Sequence, residues 1–292
     1  MILIISIILF FYDLSIENII SEENKRIVFT ANDKENYIFE QVEPNNSLIF
    51  FINTISNRFH IIKTNKNNSF ITIWQGKKYA LLKIRTREVD RLISINDLIS
   101  ICKIKIPNKL YLSKNYTELW KNKINYLEVF FKKYYEKDYN DHSYYIYLGR
   151  IALEIVKLIN FNDITYGLYY NRFDNIETIY NLYDPFNVNI GPVVISFSEF
   201  VKYRIFNNEE LDDISFLFCD KYTINDYLFL IARLLFPTYY YDLYSNNDKN
   251  NYNIILDKQY SFFKLIQKII KEIKKRYTTK DISFIESLIN QL

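Results

Sequence analysis

FITIWQGKKYALLK, residues 70–83, reads as a β-hairpin. Phe70–Trp74 and Lys78–Ile84 are rich in β-branched, aromatic and aliphatic residues, which suit a pleated, half-buried surface. Between them Gln75-Gly76-Lys77 offers a glycine, whose missing Cβ permits the positive φ of a tight turn. Working toward the N-terminus, the segment from His60 through Lys63 begins another strand. Leu48, Ile49, Ile52 and Ile55 recur at helical spacing after Pro44, behind a Ser47 that can cap. Before that helix, Ile27–Thr30 and Tyr37–Val42 are two short strand-forming runs joined by the turn-rich segment 31–36. The first part of the chain is therefore small and β-rich, with one helix among its strands.

Working toward the C-terminus, the period changes from two to 3.6. Trp120, Ile124, Leu127, Phe131 and Tyr134 make one amphipathic stripe. Residues 143–159 are apolar nearly all round, so they are expected to form the most buried helix. Gly149 is expected inside it because a neighbour packs close. Thr223 and Asp226 resemble a capping box ahead of Leu228–Phe236, and Pro237 marks the end or a kink. Phe262, Ile266, Ile269 and Ile273 form a further stripe, and Thr279 is expected to cap a last helix carrying Ile282, Ile285, Leu288 and Ile289. One non-helical stretch, 160–191, interrupts the helices, with Ile179–Tyr183 and Val188–Ile190 as short strands. The fold class is α+β, with a small lobe over residues 1–107 and a helical lobe over 108–292. Residues 1–20 read as an N-terminal helix or strand docked on the core. The opening MILIISIILFFY reaches only about a dozen residues, short of the roughly 20 needed to span a bilayer.

Composition narrows the chemistry. The four glycines, Gly76, Gly149, Gly167 and Gly191, are widely spaced, so no loop can bring bare backbone around phosphates as a P-loop or dinucleotide fingerprint does. The 27 Tyr and 23 Phe accompany many Ile, Asn and Lys, all with A/T-rich codons, and they read as core filler rather than base-stacking platforms. A net charge of +3 is too weak and too evenly spread to point to nucleic acid. The basic run Lys268–Arg276 reads as a solvated helix face. Cys102 and Cys219 form no disulfide framework or C-x-x-C, which fits a reducing cytoplasm. His60 and His142, the latter read as preceding a helix, have no matched partners for a metal site.

Several stretches in this order resemble the aminoglycoside-phosphotransferase-like branch of the protein-kinase-like superfamily, and within it the bacterial spore-coat kinase-like proteins. They are FITIWQGKKYALLK at 70–83, Trp120 with Lys123 and Leu127-Glu128, and Tyr144–Gly149. Tyr183–Asn187, Ser198–Tyr203 and Ala232–Asp242 follow. The resemblance implies a two-lobed kinase-like fold, with an antiparallel small lobe and a larger helical lobe. It also implies a lysine on a central strand of the small lobe, a catalytic Asp in a loop, and an Asn and a second Asp binding Mg²⁺.

Matched to that pattern, this chain departs at the lysine and at both aspartates. The strand Tyr37–Val42 has no lysine, and Lys83 lies on the strand after the helix. Tyr170 and Arg172 fall where His-x-Asp is implied, Gly191 where the second Asp is implied, and Ser196 where an acid would steady the loop. Asp174 and Asp184 are the carboxylates that could take displaced catalytic roles. Lys83 and Asn187 are the side chains that could touch a cofactor. Each also has a plainer reading: Lys83 as a strand lysine, Asp184 before Pro185 as an Asx-type turn, Glu199 as a first-turn charge of a helix opening at Ser198. The resemblance thus implies a non-catalytic, kinase-shaped scaffold or interaction module with a protein partner, no membrane span, no metal and no cofactor. The alternatives are a small-molecule phosphotransferase using ATP and Mg²⁺, or an unrelated α+β binding protein.

Overall fold

The computed structural model describes residues 2–23, 25–44, 46–55, 58–85, 91–107, 114–134, 139–173, 178–207, 209, 211, 213–245, 249–277 and 280–289. It divides into two compact units, one of Met1–Asp97 with Asn175–Asn189, the other of Leu98–Asp174 with Ile190–Leu292.

The first unit is built on an antiparallel sheet. Helix α1 (Ile2–Tyr12) precedes β1 (Ile16–Glu23), β2 (Arg26–Ala31) and β3 (Asn36–Gln41). Helix α2 (Asn46–Ile55), β4 (Ile61–Lys63), β5 (Thr72–Trp74) and β6 (Lys77–Lys83) follow. The strand order is β1-β2-β3-β6-β4, with β5 also beside β6. The hairpin read from the sequence is β5–β6; its two-residue turn puts both Gln75 and Gly76 at positive φ, 48° and 73°, the twist that suits a tight hairpin. Strand alternation sorts the core onto two faces. Ile27, Phe29, Tyr37, Phe39 and Leu81 pack with Ile7 and Ile8 of α1. Val28, Ile38, Ile62 and Leu82 pack with Ile49 of α2. The N-terminal apolar run is thus a helix that covers one face of the sheet. Among the described residues no helix is long and apolar enough to cross a membrane. Strand β1 has no counterpart in the sequence reading, because IENIISEE is mostly exposed and shows no clean alternation.

The second unit is helical. Helix α3 (Ile95–Cys102) leads into it, then α4 (Tyr116–Tyr134) and α5 (Tyr139–Lys157). Strand β7 (Tyr166–Tyr170) pairs with β8 (Val188–Pro192); the short helix α6 (Ile179–Leu182), between them in sequence, belongs to the first unit. Helices α7 (Val194–Phe206), α8 (Ile224–Leu235), α9 (Thr238–Ser245), α10 (Lys249–Arg276) and α11 (Lys280–Ile289) complete it.

Four expectations need correction. Ile179–Tyr183 is not a strand: residues 179–182 close a helical turn behind Thr178, where the backbone is extended. His142 sits inside α5, buried and stacked on Phe131 at 4.2 Å, rather than in a turn before it. Among the described residues the most buried helices are α7 and α8, because the stretch 143–159 leaves Tyr147 and Leu158 about 40% exposed. Helix α7 begins four residues before Ser198, which moves Glu199 from the first turn into the buried interior. The capping box of Thr223 and Asp226 is present. Gly149 lies where a Cβ would come within 3.3 Å of Ile124. Thr279 lies outside the described residues.

Candidate functional site: two buried ion clusters

Strand register places the first cluster. Arg26 of β2 stands opposite Glu40 of β3, on the face covered by α2. The Arg26 guanidinium lies 3.7 Å from Glu40 Oε2 and 3.4 Å from Asp184 Oδ2. It donates to Asn181 Oδ1 at 2.8 Å and lies 4.8 Å from the centre of the Tyr180 ring. Asp184 is fully buried. Its other oxygen accepts from the Phe186 amide at 2.9 Å, the Asx turn that a following proline suggested. Burial, with Asp184 nearby, pushes the Glu40 carboxyl well above its ordinary range; Arg26 opposes this and loses. His60 is neutral: burial lowers its pKa against the pull of Asp184. Its Nε2 meets the Tyr180 carbonyl at 2.9 Å, and Nδ1 faces the Arg85 amide at 3.5 Å.

The second cluster centres on Glu199 of α7, whose side chain is 0% exposed. Arg172, just beyond β7, donates to Glu199 Oε2 at 2.7 Å and with its other nitrogen to Asp242 of α9. Arg233 of α8 donates to Glu199 Oε1, and Lys202 lies 3.7 Å from the same oxygen. Burial alone would raise the Glu199 pKa, but Lys202, Arg233 and Arg172 together hold it below the ordinary value. Lys202 feels the reverse. Burial pushes its ammonium down to about 7 despite Glu199. Its Nζ also donates to the carbonyls of Arg233 and Phe236 at the end of α8, groups that a helix leaves unpaired. Arg172 is held charged: burial disfavours the cation, and the Glu199 and Asp242 carboxylates outweigh it. The loop entrance is fixed by a hydroxyl, since the Tyr170 amide donates to Ser196 Oγ at 2.8 Å.

Among the described residues singled out from sequence as catalytic or cofactor candidates, Asp184 alone joins either cluster. Lys83 of β6 pairs with Glu35 at 2.9 Å. Asn187 donates to the Asn181 carbonyl at 2.9 Å. Asp174 lies outside the described residues. Gly191 sits within β8, where a Cβ would be 2.7 Å from the Tyr169 ring. Sequence reading missed Arg26, Glu40, Lys202, Arg233 and Asp242 as site residues. The available signal was a charge inside an apolar run: Glu40 follows Tyr37-Ile38-Phe39, and Glu199 and Lys202 flank Phe200-Val201 in a helix rich in apolar residues.

A five-strand path with one helix crossing after the third strand, followed in sequence by a helical unit with a short strand pair after its second long helix, is a recognisable order. The fold is protein-kinase-like. Solved structures bear this out. An aminoglycoside phosphotransferase from Alicyclobacillus acidocaldarius matches with a TM-score of 0.62 at 10% identity, over 90% of this chain and 94% of that one. A spectinomycin phosphotransferase, solved in complex with ADP and spectinomycin, matches with a TM-score of 0.55 at 12% identity, over 99% and 98%. At these identities the likeness is one of fold. No protein-family model matches the chain, and no curated protein matches it by sequence.

Proposed function

We propose that this protein is a non-catalytic member of the kinase-like fold, closest in kind to the spore-coat kinase-like proteins, working in the cytoplasm as a scaffold or interaction module. The observation that carries this reading is Arg172. The resemblance matches it to the catalytic Asp, and its guanidinium is tied at once to Glu199 and Asp242. A guanidinium accepts no proton at any relevant pH, and this one is committed to two carboxylates. The hydroxyl of Ser196 meets the Tyr170 amide, which fits the same match.

The side chains do not suit Mg²⁺ and nucleotide phosphates. Asp184, the surviving carboxylate of the stretch, already faces the Arg26 guanidinium. On β3, where a phosphate-holding lysine would be sought, Glu40 supplies a carboxyl. The Gly191 position offers no ligand, and the Tyr169 ring closes on the space an Asp would need. Two free thiols accord with a reducing compartment.

One observation favours the alternative of a small-molecule phosphotransferase. Arg26 and Asp184 put a cation and a carboxylate together beside the sheet, a pairing that displaced roles could use. Thermal unfolding with millimolar Mg-ATP, alongside a phosphotransfer assay on small alcohols and amines, separates the two. We expect no shift and no transfer, since stabilisation follows ligand concentration over Kd. A clear shift abolished by Asp184→Ala would replace the present reading with the alternative.

A further inference from the structure

Helix α4 carries two apolar stripes. The inner one, Trp120, Ile124, Leu127 and Phe131, is buried. On the outer side Leu119, Tyr126 and Val129 stand 55%, 67% and 66% exposed, where a surface helix ordinarily shows polar residues. With the exposed Asn122 they follow one another at steps of three, four and three. That is the spacing of a helix-pairing seam, in which Leu119 and Tyr126 take the a positions and Asn122 and Val129 the d positions.

This seam matches itself when turned end to end. In an antiparallel helix pair each a position faces a d position. A two-fold axis between Asn122 and Tyr126 then sets Leu119 against the partner's Val129 and Asn122 against the partner's Tyr126, each contact made twice. Apolar meets apolar, and an amide meets a phenol hydroxyl. The charges at the flank fit the same pairing. Glu118 and Lys132 are exposed at the two g positions, and the axis brings Glu118 near the partner's Lys132. Within the chain Glu118 accepts from Asn115 at 3.3 Å and Lys132 donates to Glu128 at 2.9 Å, exposed contacts that compete weakly. On the other flank Lys123 keeps Asp242 as a counter-charge 3.9 Å away. A parallel pair would leave Lys132 unmatched and align the two helix dipoles.

We propose that α4 pairs antiparallel with α4 of a second copy of this chain, making a two-fold homodimer. The pairing does not depend on whether the chain transfers phosphate. From Leu119 to Val129 the seam rises roughly 15 Å, so it covers well under the roughly 800 Å² per partner of a standard interface. The dimer is therefore weak and forms at roughly tens of micromolar chain.

Sedimentation equilibrium of the full chain from about 5 to about 500 µM reads the association. We expect a monomer–dimer equilibrium with a Kd of roughly 10–100 µM. Leu119→Asp and Val129→Asp, both at exposed positions, should each raise Kd about tenfold or more. Glu118→Lys and Lys132→Glu should each weaken the dimer by opposing like charges across the axis. The double exchange Glu118→Lys with Lys132→Glu should restore it, because the facing charges are then only swapped. Far-UV circular dichroism on every variant checks that the helices stay formed. A chain that is monomeric at about 500 µM, or a dimer indifferent to Val129→Asp, would overturn the proposal. A double exchange as weak as the single ones would also overturn it. So would Lys132→Glu without effect, since only the antiparallel pairing uses Lys132.

Discussion

The two buried clusters are mirror images in charge. Around Asp184 two carboxyls share one guanidinium; around Glu199 one carboxylate meets two guanidiniums and an ammonium. In each the group in excess yields. Glu40 is pushed toward its neutral acid and Lys202 toward its neutral amine. The comparison teaches that neither charge excess is left standing in the interior. Both are instead closed on themselves, and closed ionic clusters in an interior hold a fold in one arrangement only while every member stays paired.

The sharpest break in this comparison comes from removing its single anion. Glu199→Ala leaves Arg172, Arg233 and Lys202 without their shared carboxylate inside the second unit. Removing one partner from a buried pair typically costs about 3–5 kcal/mol, and Glu199 serves three. We expect a loss at or above the lower figure in urea unfolding at neutral pH. A loss under about 1 kcal/mol would mean that water already screens the cluster.

The first cluster should prove softer. Arg26→Ala takes away the cation facing Asp184, but Glu40, already pushed toward its neutral acid, then adds no second charge beside it. The expected cost is about 2–3 kcal/mol, smaller than that of Glu199→Ala, with the deficit narrowing as pH falls. Equal losses for the two variants across pH 5–8 would erase the asymmetry drawn here.

This contrast also marks what could be read from the chain beforehand. The hairpin around Gly76, the strands flanking α2, the stripe through Trp120 and the capping box at Thr223 were all legible, because turn chemistry and periodicity are local. The kinase-like order followed from them. Arg26 was not legible, because its meaning lies in strand register: it matters only once β2 is seen to set it opposite Glu40. Glu199 looked like a first-turn charge because the true start of α7, at Val194, carries no capping side chain to announce it. Strand β1 went unseen because an exposed edge strand needs no apolar alternation.

The finest test compares pH slopes, where the two clusters should bend stability in opposite directions. Lys202 has a folded pKa near 7, below the ordinary 10.5. Between those values the unfolded chain binds more protons than the folded one, so this residue makes stability rise with pH across that window. Glu40 has a folded pKa above the ordinary 4.5. From pH 4.5 upward the folded chain holds the extra proton, so its contribution falls as pH rises toward the folded pKa. Lys202→Met should therefore flatten the slope above pH 7, although it also frees the α8 carbonyls and lowers stability throughout. Glu40→Gln mimics the neutral acid. It should flatten the slope from pH 4.5 upward while changing stability at pH 5 by less than about 1 kcal/mol, as expected when a side chain is replaced by a near-isostere of the form already present. Urea midpoints from pH 5 to 10 for both variants decide it, and slopes of the same sign at the two sites would contradict the charge-excess argument directly.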